Sequence, residues 1–299
     1  MELTRTLMVA GDSIAWDVFG TGPPVVLVHG FPSTSYLWRH VAPLLAGMGR
    51  QVYVYDLLGF GASAQHEAQN VWLTGQARVL GALLDAWEIE RPVIIAHDMG
   101  AGAAVVLAAT EERRFERLVL VSAGVLAPVI ASSTEHMLSH LETYRSMPVA
   151  PWEAIIRARV STATHVPLAS ADLERYVRPW LGAAGKAAFL RVVAQIGEER
   201  TSAIEDTHAR LDVPVHVVWG EEDTWLPVEM AEHIRDLVPG AVLTVIPGAG
   251  HFLPDDTPAA FGRLLADVQS DPRDRVKRPE VRPRARAVSP FSVWQRDST

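Results

Sequence analysis

Two rhythms of apolar positions alternate along this chain. Short runs rich in Val and Ile, "PPVVLVHG", "RQVYVYD", "RPVIIAHD", "ERLVLVSAG", "VPVHVVWG" and "AVLTVIPG", each end in Gly or a polar residue. They read as buried strands. Between several of them the spacing changes to that of amphipathic helices, as in "VWLTGQARVLGALLDAW" and "PVEMAEHIRDLV". Strand and helix in alternation predict βα units and a mostly parallel sheet with helices on both faces. The opening "LTRTLMVAGDSIAWDVFG" alternates differently and predicts a hairpin turning at Gly11-Asp12, which supplies antiparallel edge strands.

The rhythm breaks between about Leu126 and Leu211, where no strand pattern occurs. "TEHMLSHLETYRSM", "PWEAIIRARVS", "ADLERYVRPWL" and "GKAAFLRVVAQIGEER" read as helices divided by Pro, Gly and Ser. The expected organisation is an α/β core of residues 1–125 and 212–269 with a helical cap, 126–211, inserted between two strands. Residues 270–299 are rich in Pro and Arg and aperiodic, with eight basic and four acidic residues, a local charge of +4 in a chain of −8. Composition predicts a disordered tail there, although its apolar "FSVW" leaves self-docking or an acidic partner open.

Composition then removes several classes of function. A net charge of −8 argues against nucleic acid as a partner. With no cysteine the chain makes no disulfide and uses no thiolate, which suits a cytoplasmic location. The first residues lack a basic stretch followed by an apolar core, and "AGAAVVLAA" is too short to span a bilayer. The expectation is a soluble protein with no membrane, metal or cofactor requirement and an undetermined oligomeric state.

Candidate chemistry begins at "AHDMGAG". Asp98 follows a strand directly, has Ala96 and Gly100 two residues to either side, and is followed at once by the helical "AAVVLAAT". Only small neighbours permit so sharp a turn, which lifts the apex side chain above the sheet and turns backbone N–H groups toward it. An N-cap aspartate would give the same local pattern. Two further residues change the balance. His251 lies in the Gly-rich "PGAGHFLPDDTP" after the last strand, and Asp223 in "VVWGEEDTWLP" after the one before. All three follow the C-terminal ends of strands, where open α/β sheets build their sites. Their order is nucleophile, acid, histidine.

With these pieces together, the chain resembles the α/β-hydrolase family over roughly residues 3 to 268. "HGFPSTSYLW" resembles the oxyanion loop, "DLLGFGAS" the loop after strand 4, "GEEDTWLP" the acid loop and "GHFLPDDTP" the histidine loop. The resemblance implies an eight-stranded α/β-hydrolase sheet and an Asp98–His251–Asp223 triad. It further implies an oxyanion hole formed by the backbone N–H groups of Phe31 and Met99. Members with an aspartate nucleophile are mainly epoxide hydrolases and dehalogenases. A carboxylate attacking an acyl carbon would make a labile anhydride; attacking an sp³ carbon it makes an alkyl–enzyme ester.

The leaving group is less legible. Haloalkane dehalogenases carry a Trp after the nucleophile, and haloacetate dehalogenases carry arginines there. This chain has Met99 followed by "GAG". Epoxide hydrolases use two cap tyrosines to assist the departing alkoxide. Tyr144 falls near the first such position and Tyr176 fits the second poorly. The leading expectation is therefore an epoxide hydrolase acting on a small apolar substrate, with Tyr144, Tyr176, Trp38 and Trp152 as substrate-binding candidates. His136, His140 and His165 are further possible cap acids. Carbon–halogen hydrolysis is an alternative. So is a binding protein or non-hydrolytic catalyst with Asp98 as a base. His29, His97 and Asp56 read as loop-stabilising residues, and Pro32 as following a cis peptide.

Overall fold

The computed structural model describes residues 1–110, 115–124, 132–198 and 211–270. An eight-stranded sheet, in the order β1-β2-β4-β3-β5-β6-β7-β8, runs through it. The expected hairpin is β1 (Arg5–Val9) and β2 (Asp12–Phe19), antiparallel to each other, and β2 is antiparallel to β4 (Gln51–Tyr55). The other neighbours pair parallel: β3 (Pro24–Val28), β5 (Val93–His97), β6 (Arg117–Val121), β7 (Val215–Gly220) and β8 (Val242–Ile246).

Strands β5, β6 and β7 are buried at every position. Continuous Val/Ile runs therefore sit in the middle of the sheet, covered on both faces. Val242 and Val245 of β8 are partly exposed because β8 is an edge. Helix α1 (Val41–Gly47) packs beside α11 (Pro258–Ser270), where a Cβ on Gly262 would lie 2.9 Å from Leu44. Helices α2 (Leu73–Ala86) and α3 (Met99–Thr110) pack together over the centre. Helix α3 has no polar face, and Met99 to Leu107 are all buried. That is what a helix enclosed on all sides requires.

Between β6 and β7 the described residues form helices only: α4 (Ser132–Ser139), α5 (Leu141–Ser146), α6 (Val149–Val160), α7 (Ser170–Val177) and α8 (Gly182–Glu198), with a 3-10 turn at Arg178–Trp180. The single run expected over 134–147 is two helices. His140, at φ −125° and ψ 34°, leaves helical geometry between α4 and α5. Both short helices then pack separately against α8. Neither Pro nor Gly marks this break. Beyond β7 come α9 (Glu229–Leu237), the short α10 (Leu253–Asp256) and α11. Residues 271–299, most of the expected tail, lie outside the described residues, as does 125–131 at the start of the expected cap. No helix among the described residues is long and apolar enough to cross a membrane.

The topology places the site. From β3 the chain passes to β4 on one side, then returns to β5 on the other. The loops leaving β3 and β5 diverge above their C-terminal ends, and a crevice opens between them.

Candidate active site

One residue, Asp98, separates β5 from α3, and its φ is +47°. A non-glycine residue in the left-handed region costs of order 1–3 kcal/mol, least for Asn and Asp. The surroundings hold it there. Asp98 N–H donates to the Val121 carbonyl at 3.1 Å, and its own carbonyl accepts from Ala101 at 3.0 Å and Gly124 at 3.2 Å. Small neighbours are obligatory: a Cβ on Gly100 would lie 2.2 Å from the His29 carbonyl oxygen, and one on Gly30 2.5 Å from Asp98 Cβ. The turn thus fixes the carboxylate before any substrate arrives.

Phe31 N–H donates to Asp98 Oδ1 at 2.9 Å, from the loop after β3 whose Phe31–Pro32 peptide is cis. Burial pushes the Asp98 carboxyl above its ordinary pKa; the charge of His251 and the N–H groups of Met99 and Phe31 oppose that rise. His251 Nε2 stands 3.7 Å from Asp98 Oδ2, beyond a direct hydrogen bond, and is buried without another partner. Its Nδ1 lies 2.9 Å from Asp223 Oδ2. Asp223 is in turn fixed through Oδ1, which accepts from the N–H groups of Trp225 and Leu226, both at 2.9 Å. With Nδ1–H committed to Asp223, the neutral ring turns its Nε2 lone pair toward Asp98.

The His251 ring stacks on Trp225, with centroids 4.9 Å apart, and lies 4.7 Å from the His97 ring. Burial disfavours its charged form, but Asp223 and Asp98 together outweigh burial and raise the pKa. His97 Nε2–H donates to the His251 carbonyl at 2.9 Å, and burial holds His97 neutral. His29 Nε2 accepts from Leu57 N–H at 2.9 Å. Asp56 accepts from Ser35 and Ala62 N–H groups, both at 2.8 Å, and so ties the two neighbouring loops together.

A narrow pocket, with a cavity volume of about 30 Å³, opens over Asp98 and His251. Phe31, Trp72, Met99, Ile196, Trp225 and Leu226 give it apolar walls; Thr134 and Arg159 add polar groups from the helical segment. None of the four residues expected to bind substrate is among its lining residues. Tyr144 is half-buried on α5, against His136 at 6.0 Å between ring centroids. Tyr176 is buried, but its hydroxyl donates to Asp255 Oδ2 at 2.6 Å and accepts from Arg39 Nη1 at 3.2 Å. Trp38 stacks on Phe261 in the core. Trp152 donates to the Trp180 carbonyl at 2.8 Å and packs on Phe189, a layer behind Phe31. His136, His140 and His165 are exposed. Large aromatics are good core residues, and their spacing alone does not say which cavity they meet.

Arg159 was not among the expected site residues. Its sequence signal is its place on α6, seven residues after Trp152 and three after Ile156, on the stripe buried by that helix. Arg157, two residues earlier, is exposed and pairs with Glu174. Arg159 is buried, donates to the Ser133 and Thr134 hydroxyls, and lies over Trp225 with its guanidinium carbon 4.6 Å from the ring centroid. Burial lowers its pKa to about 10, and the Asp98 charge opposes the fall. No group of three or more His, Asp or Glu side chains is gathered as metal ligands among the described residues.

This sheet order, with the acidic apex after β5 and a histidine–aspartate pair after β8 and β7, is the architecture of the α/β hydrolases, and the chain belongs to that family. The α/β-hydrolase fold family model matches residues 23–147. An α/β-hydrolase-fold protein of Burkholderia ambifaria superposes with a TM-score of 0.84 at 37% identity, covering 89% of this chain and 98% of that one. A cis-3-alkyl-4-alkyloxetan-2-one decarboxylase of Shewanella oneidensis is 27% identical over 264 residues, 79% of each chain. A 2-hydroxymuconate semialdehyde hydrolase of a Pseudomonas species is 28% identical over 282 residues, 90% of this chain and 95% of that one.

Proposed function

We propose that this protein is a hydrolase that opens a strained oxygen ring by attack of Asp98 on a saturated carbon, with an epoxide as the leading substrate class. The observation that carries the reading is a carboxylate at the elbow apex, with Oδ1 on the Phe31 N–H at 2.9 Å and His251 Nε2 3.7 Å from Oδ2. Oδ2 attacks the ring carbon, the ring C–O bond breaks, and an alkyl ester forms on Asp98. The departing alkoxide takes a hydrogen bond from a pocket donor. Tyr144 and Tyr176 lie elsewhere; Arg159, whose buried Nε–H has no partner, faces the same pocket.

His251 then takes a proton from water, and the hydroxide attacks Asp98 Cγ. The oxyanion that forms on Oδ1 is held by the N–H groups of Phe31 and Met99. Collapse breaks the Cγ–Oδ2 bond, and the released oxygen takes the proton back from His251. The remaining water proton, on the new Asp98 carboxyl, passes to the alkoxide of the first step, so that the diol leaves and Asp98 is again a carboxylate. Esterification removes the Asp98 charge, one of the causes that raise the His251 pKa. The imidazole is therefore more readily a neutral base at the step that needs one.

A second reading shares the first step. The relative named as an oxetan-2-one decarboxylase acts on a four-membered cyclic ester. Carboxylate attack on the sp³ carbon of such a ring breaks the C–O bond and releases a carboxylate instead of an alkoxide. The buried Arg159 favours it.

A single turnover of styrene oxide in ¹⁸O-water, with enzyme in excess, tests the covalent step. The expected result is unlabelled diol and label in the Asp98 peptide. Labelled diol with an unlabelled peptide would make Asp98 a base that activates water.

A further inference from the structure

We infer that Arg159 forms an anion subsite opposite Asp98, and that the substrate is an apolar molecule presenting a carboxylate near the carbon that Asp98 attacks. The inference rests on the reading above for the attacked carbon, but not for the subsite itself. Burying a guanidinium costs several kcal/mol unless a counter-charge and hydrogen bonds compensate. Arg159 is 9% exposed, and at a pKa of about 10 it stays charged at neutral pH. Among the described residues no carboxylate lies within ion-pair distance of it; its polar partners are the Ser133 and Thr134 hydroxyls, and Trp225 offers a ring face. The carboxylate whose charge supports it is Asp98.

Asp98 is also the group that becomes neutral when the ester forms. The negative charge then passes to the oxygen that leaves the ring, in the same pocket that Arg159 lines. A carboxylate-bearing substrate approaching Asp98 alone would be repelled, and Arg159 cancels that repulsion. The guanidinium has five N–H donors, of which two are engaged by hydroxyls and the buried Nε–H by none. Donors remain for a carboxylate, which guanidinium recognises in a two-point geometry that an ammonium lacks. The walls of Trp72, Ile196 and Leu226 are suited to an uncharged, apolar remainder.

The carboxylate has two possible sources: a substituent already on an epoxide, or the group released when an oxetan-2-one ring opens. They differ in timing. A substituent meets Arg159 in the ground state, so its loss raises KM. A released carboxylate develops only in the transition state, so its loss lowers kcat with KM little changed.

The subsite is tested without turnover by titrating phenylacetate and phenylacetamide into the wild-type protein, following tryptophan fluorescence and calorimetry. Phenylacetate should bind at least tenfold more tightly. Arg159→Gln should weaken phenylacetate by about tenfold to a hundredfold, the range for a charged hydrogen-bonded contact, with Arg159→Lys in between. Equal binding of acid and amide to the wild type overturns the subsite, whether or not the variants fold. So does equal phenylacetate binding by wild type and a folded Arg159→Gln.

Kinetics with 3-phenylglycidate and with 4-hexyloxetan-2-one, each in wild type and Arg159→Gln, then identify the source by the KM or kcat effect. A fall in both activities with no change of preference over styrene oxide would confine Arg159 to the departing oxygen or to packing and refute the carboxylate subsite. Arg159-dependent phenylacetate binding with no adduct on Asp98 would instead sink the covalent reading and leave the subsite standing.

Discussion

Replacing His251 by Gln separates the two chemical steps and gives the most direct quantitative test of the site. Nε2 stands 3.7 Å from Asp98 Oδ2, a distance that suits a base acting on an intervening water and not a partner in the first attack. Loss of a positioned general base slows a step by about 10²–10⁴-fold, or about 2.7–5.4 kcal/mol of barrier. Only ester hydrolysis should pay this. The Phe31 and Met99 N–H groups that orient Asp98 are untouched, so alkylation should persist. If the two steps have similar rates in the wild type, a 10²-fold slower second step leaves about 99% of the enzyme as ester.

Glutamine is preferred to alanine for a structural reason. Asp223 is fully buried, and alanine would strip the Nδ1–H partner from its Oδ2, at about 1–3 kcal/mol for an unsatisfied buried acceptor. A side effect has a definite sign. The charged form of His251 helps hold Asp98 ionised, so alkylation by the variant should shift toward higher pH. The assay is rapid quench with styrene oxide followed by intact and peptide mass spectrometry. Near-stoichiometric adduct on the Asp98 peptide is expected. Full steady-state turnover by the variant, or loss of adduct formation at every pH, would refute the scheme.

Tyr144→Phe should change the alkylation rate less than about twofold, because an interaction absent from the transition state contributes nothing there and the residue lies outside the pocket; a much larger fall in a pre-steady-state burst would place it in the site. The pH profile should have two acid limbs. Alkylation requires ionised Asp98, whose pKa is raised by burial, so it should fail as pH drops at values above those of an ordinary carboxyl. Hydrolysis of the ester requires neutral His251 and should fail as pH drops through the pKa of that imidazole. Because the ester lacks the Asp98 charge, this limb should lie at lower pH than the His251 titration of the free enzyme followed by NMR. A limb at higher pH would contradict the electrostatics.

Periodicity determined much about this protein by itself. A buried parallel strand must be apolar on both faces, and a sharp strand-to-helix turn must be lined by small residues, so the central strands and the Asp98 elbow are written locally. Loop ends followed from the strands, and with them the meeting of Asp98, His251 and Asp223 above one sheet edge. The helix break at His140 and the lining of the pocket were decided in three dimensions. An amphipathic helix announces which face is buried but not against what. Tyr176 was drawn to Asp255 and Arg39, Trp38 and Trp152 to aromatic layers, and Arg159, alike in sequence to the solvated Arg157, into the cavity over Asp98. Those destinations depend on contacts between segments far apart in the chain, where the balance of desolvation against a distant partner is set only once the helices have packed.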